Sequence, residues 1–344
     1  MKLRIAIFIL FVSCSSLPEV FADAPVIIKF ATVVPEGSTW TNTLREIDKE
    51  LRSKSNGGLR LKIYAGGVQG DEVDIIRKMR IGQIHCAGFT GVGLGDIVPD
   101  VRVFDLPFFL RNYEEVDFIR NKFHERFVKK FEDKGYVMLG WTEVGFIYFY
   151  SNIELRNINA LRSTKMWMWE GDPLVKALFD NINLTPIPLT ITDVISSLQT
   201  GLIDSVYVSP LGMIALQWFQ KVKYAMNVPM ADATGAILIS KKEFNKLSPK
   251  FQELLKSTFG TYCHRLMDII RKDNEVSINV LQDSGISFVQ MDKVGIRELE
   301  IAGEKARKTL SGKLYTEHLL NDVTKALNEF RSKTNTSYTY KYGN

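Results

Sequence analysis

Apolar and polar positions change period repeatedly along this chain, and each change marks the end of a strand or helix. Val26 to Val33 is rich in β-branched residues and stops at Pro35, after which Trp40 to Ser53 repeats apolar residues at helical spacing and closes at Asn56-Gly57-Gly58. Leu59 to Ala65 alternates as a strand, Gly66-Gly67 breaks it, and Asp71 to Ile81 has helical spacing through Val73, Ile76, Met79 and Arg80. A short buried strand, Ile84 to Phe89, precedes a glycine loop, Gly91 to Gly95, an apolar stretch, Val101 to Leu110, and a helix from Tyr113 to Lys134. This β-α order with short connections predicts an α/β domain on a largely parallel sheet.

The long aromatic run Tyr136 to Tyr150 reads as a strand, and a second β-α series follows it: strand Thr164–Trp169, helix Asp172–Asn181, strand Leu184–Pro188, helix Thr190–Thr200, strand Leu202–Val208. Ser248 then caps a helix with Pro249 in its first position, and apolar residues recur from Phe251 through Ile270, Val276 and Val280 until Gly285. Residues 249–284 give about 54 Å of helix, enough to cross two lobes, and the polar break Arg271–Glu275 fits the crossing point. Short closing helices are expected after Met291, and Thr334 to Asn344 reads as a disordered tail. The boundaries implied are lobe I over 23–148 plus 232–270 and lobe II over 149–231 plus 271–333.

Composition narrows the function classes. The 344 residues are 45% hydrophobic and 24% charged, as in a folded protein of about two domains. The 44 basic and 39 acidic residues are interspersed at a net +5, which does not point to nucleic acid. Four histidines and three cysteines stand far apart without metal-ligand spacing, so neither a metal nor a cofactor is expected. Cys86 and Cys263 lie in apolar contexts and read as separate buried thiols rather than a disulfide. At the N-terminus Lys2 and Arg4 precede the apolar run Ile5–Val12, and Val20-Phe21-Ala22 follows, predicting a signal peptide over 1–22 cleaved after Ala22 and a periplasmic chain. An alternative treats Cys14 as the lipidated residue of a lipoprotein.

Several motifs fail on inspection. Gly91-Val92-Gly93-Leu94-Gly95 lacks the third glycine of a dinucleotide loop, and Gly66 to Gly70 is not followed by Gly-Lys-Ser/Thr. Asp71, Glu72 and Asp74 suggest acid–base work, yet acids at a helix start are expected from the dipole alone.

The two-lobe α/β pattern, the crossing helix, and the segments Gly67–Gly82 (GVQGDEVDIIRKMRIG), Leu106-Pro107-Phe108, Leu161–Lys165 and Leu198–Asp204 (LQTGLID) together resemble the DctP-type solute-binding proteins of tripartite ATP-independent periplasmic (TRAP) transporters. The resemblance implies a periplasmic-binding-protein fold with mixed, mainly parallel sheets. It also implies capture of a small ligand in an interlobe cleft, delivery to TRAP membrane subunits, no catalysis, and in some aromatic members a helical-repeat periplasmic partner. Glu72 falls on the family's acidic loop position, and Tyr207 to Ser209 on the end of a cleft strand. Where the family places a carboxylate-gripping arginine, this chain has Trp167 within Lys165-Met166-Trp167-Met168-Trp169. An indole offers one donor and no charge.

Strand alternation puts Lys165, Trp167 and Trp169 on one face, and Trp218 follows on the next helix. The candidate ligand residues are therefore Trp167, Trp169, Tyr207, Ser209, Glu72, Trp218 and Lys165, around a hydrophobic, aromatic or amphipathic solute. The competing reading makes Trp167 and Trp169 core residues. Further alternatives are an organic acid held by Lys165, a cation boxed by Trp167, Trp169 and Tyr207 near Glu170 and Asp172, and an exported enzyme with Glu72 or Asp71 as base.

Overall fold

The computed structural model describes residues 24–334. The signal peptide expected over 1–22 and the tail expected beyond Thr334 lie outside the described residues. Ten strands form: β1 (Val26–Ala31), β2 (Leu59–Tyr64), β3 (Cys86–Thr90), β4 (Tyr136–Ser151), β5 (Trp167–Trp169), β6 (Ile187–Leu189), β7 (Ser205–Val208), β8 (Tyr224–Met226), β9 (Ala231–Ser240) and β10 (Ser287–Val289). A mixed sheet runs in the order β10-β8-β4-β9-β3-β1-β2, with β7 also paired to β4, and β5-β6 form a separate parallel pair.

The β-α order correctly predicts parallel pairing of β1 with β2 and β3. The middle of the sheet is antiparallel, because β9 returns along both β3 and the first twelve residues of β4, β7 returns along its last four and β8 along its last two. One 16-residue strand therefore belongs to both halves of the fold. Its ladder with β9 breaks register at Met138/Gly140 and Glu143/Gly145, placing two irregularities inside the stretch paired to β9.

Helix starts follow local chemistry. Ser38 caps Thr39–Lys54 and Ser248 caps Pro249–Asp283, whose first residue is the proline expected there. The long helix is 35 residues, about 52 Å. Its buried stripe follows the predicted Leu255, Phe259, Cys263, Leu266 and Ile270, then passes to Asn274, Ser277, Ile278 and Leu281, so Val276 and Val280 face solvent. The polar break docks on β4. Arg271 bonds Asp117 and Glu143, while Asn274 donates to Val144 O at 3.0 Å and accepts from Leu211 N at 2.9 Å. Gly145 makes this approach possible: at φ 94° it has no side chain, and a Cβ there would stand 2.4 Å from Asn274 Nδ2.

Two expectations change. Gly91–Ile97 is a short helix capped by Thr90, not a loop. The closing helices Lys293–Leu310 and Glu317–Thr334 have 18 residues each rather than being short. The last of them packs against Tyr113–Asp133 through Arg331–Glu115 and the stacked Phe118–Phe330 pair. Cys86 and Cys263 are free and buried.

Candidate functional site

A cavity of about 170 Å³ lies between the β1–β3 side of the fold and the β5–β7 side. Strand alternation acts as expected at β5: Trp167 and Trp169 line the cavity, whereas Met166 and Met168 do not. Trp167 is 2% exposed and stacks on Tyr207 at 4.8 Å with planes 22° apart, and it meets Trp218 edge-on at 5.3 Å. These offset and edge contacts are the preferred geometries of aromatic pairs. The indole N–H groups of Trp167 and Trp169 are already satisfied. Trp167 Nε1 donates to Leu189 O at 3.0 Å, Trp169 Nε1 to Asp71 Oδ2 at 2.9 Å, and Trp169 N to Tyr207 Oη at 3.0 Å. The rings are thus both packed core and cavity wall.

Ser209 also lines the cavity, but its hydroxyl accepts from Gly212 N at 3.2 Å as the cap of Pro210–Ala215. Aliphatic side chains complete most of the wall, among them Val33, Ile147, Leu174, Ile191 and Leu216.

Glu72 and Lys165 stand away from the cavity wall. Glu72, 1% exposed, accepts from Thr90 N at 2.7 Å, Thr90 Oγ1 at 2.9 Å and Gly93 N at 2.7 Å, so it fastens the turn into Gly91–Ile97 and is not among the lining residues. Burial raises its carboxyl to about 7, against those donors. Lys165 is exposed, its ammonium bonded to Gly201 O at 3.1 Å. Asp71 is spent as a helix cap and as acceptor for Trp169 Nε1 and Ile191 N, leaving no base facing the cavity at the position proposed for an enzyme.

The charged residues that do reach the cavity are Arg102, Asp105, Asp172 and Asp232. Arg102 Nη2 donates to both Asp172 oxygens, at 3.0 and 2.9 Å, and its Nε lies 3.5 Å from Asp105 Oδ2. The pair ties the 3-10 segment Pro99–Asp105 to the N-cap of helix Pro173–Asn181, across the cavity. Asp105 Oδ1 also accepts from Thr234 N at 2.9 Å, and burial raises its carboxyl to about 6 in spite of Arg102. The glycines set aside as a failed nucleotide motif make this possible: a Cβ on Gly91 would sit 1.8 Å from Asp105 Oδ2, and one on Gly95 2.8 Å from Arg102 Cδ.

Sequence reasoning missed this group. Its signals were a lone Arg102–Asp105 couple inside the apolar run Val101–Leu110 and a lone carboxylate in the apolar strand β9. Among the described residues no group of three or more His, Cys, Asp or Glu side chains could hold a metal ion.

Comparison with known proteins agrees with this architecture. The DctP family, bacterial extracellular solute-binding protein family 7, matches residues 30–310. The C4-dicarboxylate-binding periplasmic protein DctP of Rhodobacter capsulatus is 20% identical over 263 residues, 76% of this chain and 79% of its own. The galactonate-bound sugar acid binding protein DctPAm of Advenella mimigardefordensis superposes with a TM-score of 0.83 at 17% identity, covering 89% of this chain and 98% of its own. A TRAP periplasmic solute binding protein of Pseudomonas putida F1 with bound D-glucuronate gives 0.80 at 24% identity, covering 93% and 100%. With a family match across most of its length, the chain belongs to the DctP family of bacterial extracellular solute-binding proteins, the receptors of TRAP transport.

Proposed function

We propose that this receptor captures a small apolar or aromatic solute between Trp167, Tyr207 and Trp218 in the periplasm, after export by its N-terminal segment, and presents it to TRAP membrane subunits. The observation that carries the reading is the wall of the cavity. It is built of aromatic and aliphatic side chains, and Arg102, the one Lys or Arg among its lining residues, is already held by Asp172 and Asp105. A carboxylate ligand would have to take Arg102 from these partners while facing Asp232. The lobe division proposed from the sequence is supported by the course of β4, whose two ends pair with different strands.

Size supports a ligand of about one ring. Engineered apolar cavities of roughly 150 Å³ admit benzene. Burying about 150–250 Å² of ring surface at ~25 cal/mol per Å² yields about 4–6 kcal/mol, a Kd from roughly millimolar to tens of micromolar.

A second reading, an organic acid, is favoured by the relatives: those named above carry galactonate, D-glucuronate or a C4-dicarboxylate in their descriptions. Arg102 Nε, buried and without a hydrogen-bond partner among the described residues, would be its anchor. The expected helical-repeat partner finds no support in the names of these relatives.

Titration followed by tryptophan fluorescence separates the two readings. Toluene and indole are expected to quench or shift the emission at submillimolar to millimolar concentration, with succinate and galactonate silent. Micromolar binding of either acid, with no response to the apolar compounds, would overturn the proposal.

A further inference from the structure

Asp232 is the least explained group in the cavity. It sits on β9 opposite Phe146 of β4, lines the cavity, and is 1% exposed. Neither of its carboxyl oxygens has a hydrogen-bond partner among the described residues. An unpaired buried carboxyl costs several kcal/mol, so a fold retains one where something else repays that cost. The nearby cations do not supply the compensation. Arg120 gives Nη1 to Glu143 and Nη2 to Asp117, at 3.1 and 2.7 Å. Arg271 gives Nε and Nη2 to Glu143, and Nη1 and Nη2 to Asp117. Two guanidinium groups thus match two carboxylates, and Asp232 is the surplus acid beside them. Arg102 is engaged by two acids of its own, bonded to Asp172 and 3.5 Å from Asp105.

We infer that Asp232 receives the head of the ligand, and that the solute is an apolar body of about one ring bearing a single hydrogen-bond donor, an alcohol or an amine. This rests on the apolar-solute reading above and adds the chemistry of the ligand's polar end. A hydrocarbon bound in the cavity leaves the Asp232 carboxyl buried without a partner, whereas a hydroxyl or ammonium completes it. A carboxylate would add a further negative charge beside Glu143 and Asp105, which already act on Asp232, and is disfavoured. Burial, with Glu143 adding to it, raises the Asp232 carboxyl well above the usual carboxylate range, which favours a neutral alcohol over an ammonium as the head.

The test is a matched series on one ring: toluene, benzyl alcohol, benzylamine and benzoate, titrated against the full chain and against Asp232→Leu. The wild-type chain is expected to bind at least one of the alcohol and the amine roughly tenfold or more tightly than toluene, with benzoate weakest. Which of the two gains identifies the head group. Asp232→Leu is expected to bring both within about twofold of toluene. Equal affinity of toluene, benzyl alcohol and benzylamine in the wild type, tightest binding by benzoate, or a preference that survives in Asp232→Leu would overturn the inference. Should Asp232→Leu not fold, Asp232→Asn replaces it: an amine preference must fall, and an alcohol preference must persist, since the amide keeps one acceptor. Any other outcome overturns the inference. Toluene binding without head-group preference defeats this inference alone; failure of every apolar member to bind defeats the reading beneath it.

Discussion

Replacing Arg102 by Met removes the cation that holds two acids together inside the fold. The side chains of Arg102 and Asp172 are 5% and 2% exposed, and one guanidinium nitrogen serves both Asp172 oxygens at 3.0 and 2.9 Å. Breaking a buried pair by deleting one partner costs about 3–5 kcal/mol, because the remaining charge is stranded. Here the stranded acids keep other donors: Asp172 accepts from Leu174 N at 2.9 Å, and Asp105 from Thr234 N at 2.9 Å. The expected loss is therefore at the lower end, about 3 kcal/mol. Adding Asp172→Asn to Arg102→Met removes one stranded charge and keeps the helix cap, and should recover roughly 1–2 kcal/mol. Urea unfolding of the wild type, both single variants and the double variant at pH 7 gives the coupling energy directly. A cost below about 1 kcal/mol for Arg102→Met, or additive single effects, would refute the view that this ion pair clasps the two sides of the cavity.

Glu72 makes a pH prediction. Its folded value of about 7 lies above the ordinary 4.5, so its stabilising contribution is present below about pH 4.5 and is lost as pH rises through about 7. Glu72→Gln should flatten the fall in stability across that window by on the order of 3 kcal/mol, measured by urea midpoints at intervals of pH; an unchanged slope would contradict the assignment. Gly91→Ala should cost about 1–3 kcal/mol in thermal or urea unfolding, because Asp105 must leave Thr234 N to admit the new methyl; a neutral substitution would contradict the close approach. Trp167→Phe should cost about 1–3 kcal/mol by losing indole volume and the donor to Leu189 O, while improving binding of a two-ring hydrocarbon; unchanged stability and selectivity would show that Trp167 does not bound the cavity.

Much of the fold was legible because its signals are local. Ser248-Pro249 marks a helix start by capping chemistry alone, and the 35-residue stripe after it can belong only to a helix that crosses both halves. Trp167 and Trp169 reached the cavity wall as strand alternation required, and Tyr207 and Trp218 came to meet them. The sheet's antiparallel middle was not legible, since pairing of β4 with β9 depends on residues about a hundred positions apart, where a strand's own pattern says nothing of its neighbour's direction. The polar half of the site was hidden for a related reason. Arg102, Asp172 and Asp232 each read locally as an odd charge or a helix cap, and only the tertiary fold shows that they converge. Glu72 shows the same limit from the other side: its position implied a ligand contact, while the fold turns both of its oxygens to Thr90 and Gly93, a pairing that no local pattern announces.

The most direct test of the central claim is to identify what the protein retains. The full chain, purified from its native cells without added ligand, would be denatured and its small-molecule content extracted, identified and quantified by mass spectrometry. An apolar solute of about one ring, present at near one copy per chain and displaced by excess toluene before denaturation, is the result predicted here. A sugar acid or dicarboxylate at that stoichiometry, undisturbed by toluene, would contradict the account and return the chain to organic-acid binding.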